Sequence, residues 1–247
     1  MIRHISNRVK KTWAALALLS VEMAAVLILF ILSLIAFIII TRYVFILKKD
    51  QFDFRIFAFL ENHVSERNNA IMLFFTFLGT HLFLIPASLL LIIFFLFIKK
   101  HKWFSIKVPA IAISSVLLMF LLKNFFGRER PDIPLLREAS GLSYPSGHAL
   151  MSVTFYGLLI YIVWRSVKTV WLKWTWTLLL AGLILTIGFT RIYLRVHYPS
   201  DVLAGFATGF LWLVISISIL RRMEKFSNRN IDPIVESETI VKEPPTT

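Results

Sequence analysis

The sequence contains no cysteine, which excludes disulfides, thiolate metal sites and cysteine nucleophiles while leaving the compartment open. Acidic residues are scarce as well: 14 Asp and Glu stand against 27 Lys and Arg, giving a formal net charge of +13. No carboxylate cluster suited to magnesium or a dinuclear metal site accompanies the polar motifs, so neither a metal nor any other cofactor is expected. Polar sequence as a whole is in short supply. Of 247 residues, 57% are hydrophobic, too many for a soluble domain that must cover its core with polar surface. There is no internal repeat, and no small-residue cleavage site follows the first apolar stretch from Val21 to Ile40. That stretch is longer than a signal-peptide core, despite the basic Arg3, Arg8, Lys10 and Lys11 before it, and is expected to be a retained span.

What is present is a series of apolar runs about 20 residues long, enough to cross ~30 Å of hydrocarbon as helix. Spans are predicted near residues 17–41, 70–98, 107–123, 147–165, 173–191 and 200–220. The expected fold is all-α, a polytopic membrane protein built as a six-transmembrane-helix bundle. It divides into a cytoplasmic N-terminus (1–16), a six-span domain (17–220, with its motif-bearing core at 107–220) and a polar, disordered cytoplasmic tail (221–247). The second span is long for one crossing, and is expected to tilt, to bend at Pro86 or to begin outside the bilayer. Residues 42–69 mix Phe52, Phe54, Phe57 and Phe59 with Asp53, Arg55 and Glu61, the pattern of an interfacial amphipathic helix.

The basic residues lie in short clusters between the apolar runs rather than along one soluble face. That distribution sets topology and touches anionic headgroups, so the expected partner is the bilayer and not nucleic acid. With both termini in the cytoplasm, sixteen Lys and Arg fall on the cytoplasmic side and eleven on the other. The compact length and lack of elaborated loops point to a bacterial plasma membrane; oligomeric state is not legible.

Three polar clusters remain, all at the outer ends of spans: Lys123-x6-Arg130-Pro131, Pro145-Ser146-Gly147-His148, and Arg191-x5-His197-x3-Asp201. Singly, each has a plain structural reading: snorkelling anchors, a capped helix start, a surface pair beside Pro199. Together they bring two histidines, an aspartate and three cations to one membrane face from four helices. That set suits phosphoryl transfer, where catalysis is mostly positioning and electrostatic stabilisation. Lys123, Arg130 and Arg191 supply charge to the phosphoryl oxygens, and Ser146 with the backbone near Gly147 forms a second cradle at a helix N-terminus. Asp201 is expected to hold one nitrogen of His197 as donor and free the other to attack phosphorus, while His148 protonates the leaving group.

These motifs resemble the tripartite signature of the type 2 phosphatidic acid phosphatase superfamily, over about residues 70–220. The resemblance implies metal-independent hydrolysis of a lipid phosphate or diphosphate through a phosphohistidine, at an extracytoplasmic site. Undecaprenyl diphosphate, phosphatidylglycerol phosphate and phosphatidic acid are the candidate substrates, in that order. Thr190 departs from the family's usual serine before the third-motif arginine but keeps the hydroxyl. Arg128 and Arg195 are expected to be secondary, reaching a second phosphate or lipid headgroups, and His81 to be a hydrogen-bonded packing residue. A lipid phosphotransferase would use the same intermediate. An anion transporter would bind nearer the midplane and has no need of a His–Asp pair.

Overall fold

The computed structural model describes residues 2–136 and 139–231, excluding the side chains of residues 2–20, 22 and 231. Among them the regular structure is helical: α1 (Ile2–Thr41), α2 (Gln51–Glu61), α3 (Glu66–Phe77), α4 (His81–Ile93), α5 (Lys102–Phe126), α6 (Gly147–Ser166), α7 (Val170–Tyr193) and α8 (Pro199–Phe226). Wider π-helical turns continue α1 to Ile46, α4 to Ile98 and α8 to Ile231. Six of these helical stretches are long and apolar enough to cross a membrane, and most of their large apolar side chains face outward, as a lipid solvent requires.

Two expectations change in detail. The chain breaks at residues 78–80, so the second span starts at His81 instead of residue 70, and α3 is a separate helix before it. Ser65 starts α3 by accepting the backbone N–H of Asn68 at 3.2 Å. The tail expected from residue 221 is helical to Ile231; its remainder, 232–247, lies outside the described residues.

Local signals position the motif helices. Gly127 adopts φ 62° and ends α5 with its N–H on the Lys123 carbonyl, the left-handed cap that glycine permits at least cost. Lys123 therefore sits in the last turn of α5. Ser146 caps α6, and Pro199 opens α8 with Asp201 in its first turn accepting the Tyr198 N–H at 3.0 Å. At the opposite end of the bundle, the buried Lys107 of α5 donates to Glu224 of α8 at 2.6 Å.

The α6–α8 contact sets the depth of the polar end. A Cβ at Gly205 would lie 2.7 Å from the Ser146 carbonyl oxygen, and one at Gly209 would lie 2.8 Å from that of Leu150. Small residues let the backbones approach, which is how helices associate where lipid tails remove the hydrophobic drive. Gly205→Leu should thus abolish recovery of monodisperse protein in size-exclusion chromatography, whereas Gly182→Ala, with nothing within 4 Å of the added carbon, should leave the elution profile and Tm unchanged. Normal recovery of Gly205→Leu would rule out this packing role.

Candidate active site

The C-terminal ends of α5 and α7, the N-terminal ends of α6 and α8, and the loop residues 127–136 and 139–146 meet at one end of the bundle. Asp201 has no solvent exposure and ties these parts together. Its carboxylate accepts from Arg128 Nη1 at 2.6 Å, from Ser143 Oγ at 2.5 Å and from the Tyr198 N–H. Its backbone carbonyl accepts the N–H of Ser146 at 2.9 Å, so the second and third motifs are joined directly.

His197 lies in the turn between α7 and α8, 1% exposed. Arg130 Nη1 approaches its Nε2 at 3.2 Å while also donating to the Val196 carbonyl at 2.7 Å; Arg130 Nε donates to the Gly141 carbonyl at 2.8 Å. A guanidinium only donates, so Nε2 is the lone-pair nitrogen and the imidazole proton belongs on Nδ1. The sequence suggests a direct bond from Nδ1 to Asp201, but the pair is 3.8 Å apart, too far for one. Ser143 lies between them, 3.2 Å from Nδ1 and donating to Asp201. The chain is Nδ1–H to Ser143 to carboxylate. Burial pushes the His197 pKa down to about 3, with Asp201 opposing and Arg130 adding to the shift.

The other cations surround this imidazole. Lys123 Nζ donates to the Leu142 carbonyl, with Arg130 and Arg191 as its cationic neighbours. Arg191, 9% exposed, donates from Nη1 to Thr76 at 2.6 Å, and its buried Nε has no hydrogen-bond partner. The buried Nε2 of His148 also lacks a partner among the described residues, and Arg191 and Arg130 are its cationic neighbours, with the His197 and His81 rings nearby. Leaving buried donors unmatched costs about 1–3 kcal/mol each. Two such atoms beside three cations make a cluster of polar groups that an anion would satisfy. Ser146 is fully buried, its Oγ 3.5 Å from the Ala149 N–H, and a Cβ on Gly147 would lie 2.6 Å from Met119 Sδ.

A family model described as the PAP2 superfamily matches residues 104–224. The chain is 28% identical over 162 residues to phosphatidylglycerophosphatase B of Bacillus subtilis, covering 65% of this chain and 79% of that one. It is 26% identical over 195 residues to an undecaprenyl-diphosphatase of Sulfolobus acidocaldarius, covering 75% and 88%. A crystal structure of a transmembrane PAP2-type phosphatidylglycerolphosphate phosphatase from Bacillus subtilis superposes with TM-score 0.72 at 23% identity, over 80% of this chain and 98% of that one. This chain belongs to the PAP2 superfamily.

Within this PAP2 chain the two flanking arginines are not equivalent. Arg128 is engaged within the protein: one arm is on Asp201 and Ser200, the other on Asp53 at 3.0 Å, and its guanidinium stacks 4.0 Å above the Tyr198 ring. Although burial pulls the other way, the two carboxylates hold it above the ordinary guanidinium range. Arg195, at φ 52°, pairs with the well-exposed Glu61 at 3.8 Å. Thr190 spends its hydroxyl on its own helix, on the Ile187 carbonyl at 2.6 Å. His81 opens α4, exposed and without a side-chain hydrogen bond, in place of the expected packing role. Sequence reasoning missed Ser143, Thr76 and Asp53. Ser143 stands only three residues before Ser146, whereas Thr76 and Asp53 lie in helices that carry no motif.

With its pKa lowered from 6.5 to about 3, His197 stays neutral in the fold while an unfolded chain takes up a proton. Its contribution to stability is complete above pH 6.5 and declines as pH falls from there toward 3. In histidine-labelled protein in detergent, nitrogen NMR should find one neutral, Nδ1-protonated ring from about pH 5 to 8, absent in His197→Ala. A titration midpoint for that ring near 6.5 would contradict this electrostatic account.

Proposed function

We propose that this lipid phosphate hydrolase works through a phosphohistidine on His197. The observation that carries the reading is the imidazole itself: neutral, buried, with the lone pair of Nε2 turned to Arg130 and its proton directed through Ser143 toward Asp201. Nε2 attacks phosphorus and the bond from phosphorus to the leaving oxygen breaks. Lys123, Arg130 and Arg191 take the charge of the phosphoryl oxygens, and Ser146 with the α6 N-terminus at Gly147 offers further donors. His148 gives its proton to the leaving oxygen, then removes one from water. That water displaces phosphate from His197 and restores the free imidazole. The three cations do the work a metal ion would do elsewhere, so the reaction is proposed to be metal-independent.

For substrate we favour undecaprenyl diphosphate, with phosphatidylglycerol phosphate next. A phosphoanhydride asks less of His148, because a leaving phosphate needs less protonation than an alkoxide. The loosely paired Arg195, two residues before His197, is the cation left for a second phosphate now that Arg128 is engaged by two carboxylates. The similar proteins fit both choices, one being an undecaprenyl-diphosphatase and another a phosphatidylglycerophosphatase. Purified enzyme with EDTA should release phosphate from undecaprenyl diphosphate with a kcat/KM at least about tenfold above that for either glycerolipid, some 1.4 kcal/mol of discrimination. His197→Ala should fall to background, and His148→Ala should accumulate acid-labile phosphoenzyme. Full activity in His197→Ala would end the phosphohistidine mechanism; a tenfold preference for a glycerolipid would end only the carrier-lipid choice.

The site is proposed to face away from the cytoplasm, on the strength of the Lys and Arg bias between the two ends. A cysteine placed at Leu142 should react with an impermeant maleimide in intact cells, and one at Thr169 should not. The opposite labelling pattern would put the site in the cytoplasm.

A further inference from the structure

We infer that Asp53, on α2, is a positioning residue for the His197 relay, acting by sharing Arg128 with Asp201; this rests on the phosphohistidine reading. Asp53 is fully buried although it lies in a short helix whose other face carries exposed Phe52, Phe54 and Phe59. Its Oδ1 accepts the backbone N–H of Ser200 at 2.8 Å, and its Oδ2 accepts from Ser200 Oγ at 2.7 Å and from Arg128 Nη2 at 3.0 Å. α2 thereby supplies a carboxylate to the first turn of α8, three residues from His197.

The consequence is electrostatic. One guanidinium lies between two buried carboxylates, so the Asp53–Arg128–Asp201 cluster carries a net charge of about −1. That remaining charge is what Asp201 can direct through Ser143 to His197, whose ring becomes cationic when Nε2 bonds phosphorus. Without Asp53, Arg128 would neutralise Asp201 alone, and the relay would end on a carboxylate already compensated. Lys123, Arg130 and Arg191 do not touch Asp53, so phosphate binding is left as it was. The effect falls on the chemical step.

Asp53→Asn removes the charge at nearly constant shape: its amide oxygen keeps the Ser200 N–H, while its amide nitrogen no longer accepts from Arg128 or from the Ser200 hydroxyl. On the lipid phosphate the wild type turns over fastest, the full-length Asp53→Asn enzyme should lose roughly 10- to 100-fold in kcat with KM within about twofold. Adding Arg128→Gln should cost much less than the product of the two single losses, since removing the arginine returns the charge of Asp201. A wild-type kcat in Asp53→Asn, a matching rise in KM, or losses that multiply would overturn the inference. If Asp53→Asn does not purify as a monodisperse protein, Asp53→Glu decides. Loss within about threefold supports the charge account, and loss beyond about tenfold overturns it. His197→Ala assayed alongside keeps the two ideas apart, because turnover in that variant defeats the phosphohistidine reading whatever Asp53 does.

Discussion

A carboxylate removed from water must find donors, and at Asp201 that requirement organises the whole polar end of the bundle. Its oxygens are met by a guanidinium from the loop after α5, a hydroxyl from the loop before α6 and a backbone N–H at the start of α8. Its own carbonyl takes the N–H that precedes α6. Breaking one partner from a buried charge costs several kcal/mol, so these loops are held in register with one another. His197, in the turn just ahead of Asp201, inherits that register.

Around this anchor the charges are sorted by what answers them. Arg128 is matched by two carboxylates and belongs to the framework. Lys123, Arg130 and Arg191 are met mostly by neutral oxygens from carbonyls and Thr76, which accept hydrogen bonds from them without cancelling their charge. The result is a buried positive cluster at the helix ends, where a low dielectric strengthens every interaction with an anion. Close backbone approach at Gly205 and Gly209 makes the geometry possible, because it brings the start of α8 against the start of α6.

Residues before the motifs also build this cluster. Thr76 of α3 holds Arg191, the break at 78–80 lets Gly79 pass within 3.2 Å of His148 for an added Cβ, and Tyr156 donates to the Leu78 carbonyl at 2.8 Å. α1 contributes through Thr41, whose hydroxyl lies 2.6 Å from that of Tyr144, and through Phe37 and Phe45, which pack on the same ring. The amphipathic segment read as an interfacial helix does present phenylalanines outward, yet its buried Asp53 reaches the first turn of α8.

The helical membrane class, the apolar runs and the convergence of three motifs at one end are legible along the chain, because hydrophobic length and local spacing are properties of neighbouring residues. The helix starts at Ser146 and Pro199 are legible too, where backbone geometry depends on a single side chain. That Ser143 stands between His197 and Asp201, that Arg128 faces two carboxylates, and that Asp53 and Thr76 bond Arg128 and Arg191 emerges only from the packing. Those partners are separated by tens of residues, and a buried charge acquires its meaning from whatever the packing of distant helices sets beside it. No periodicity along the chain carries that information.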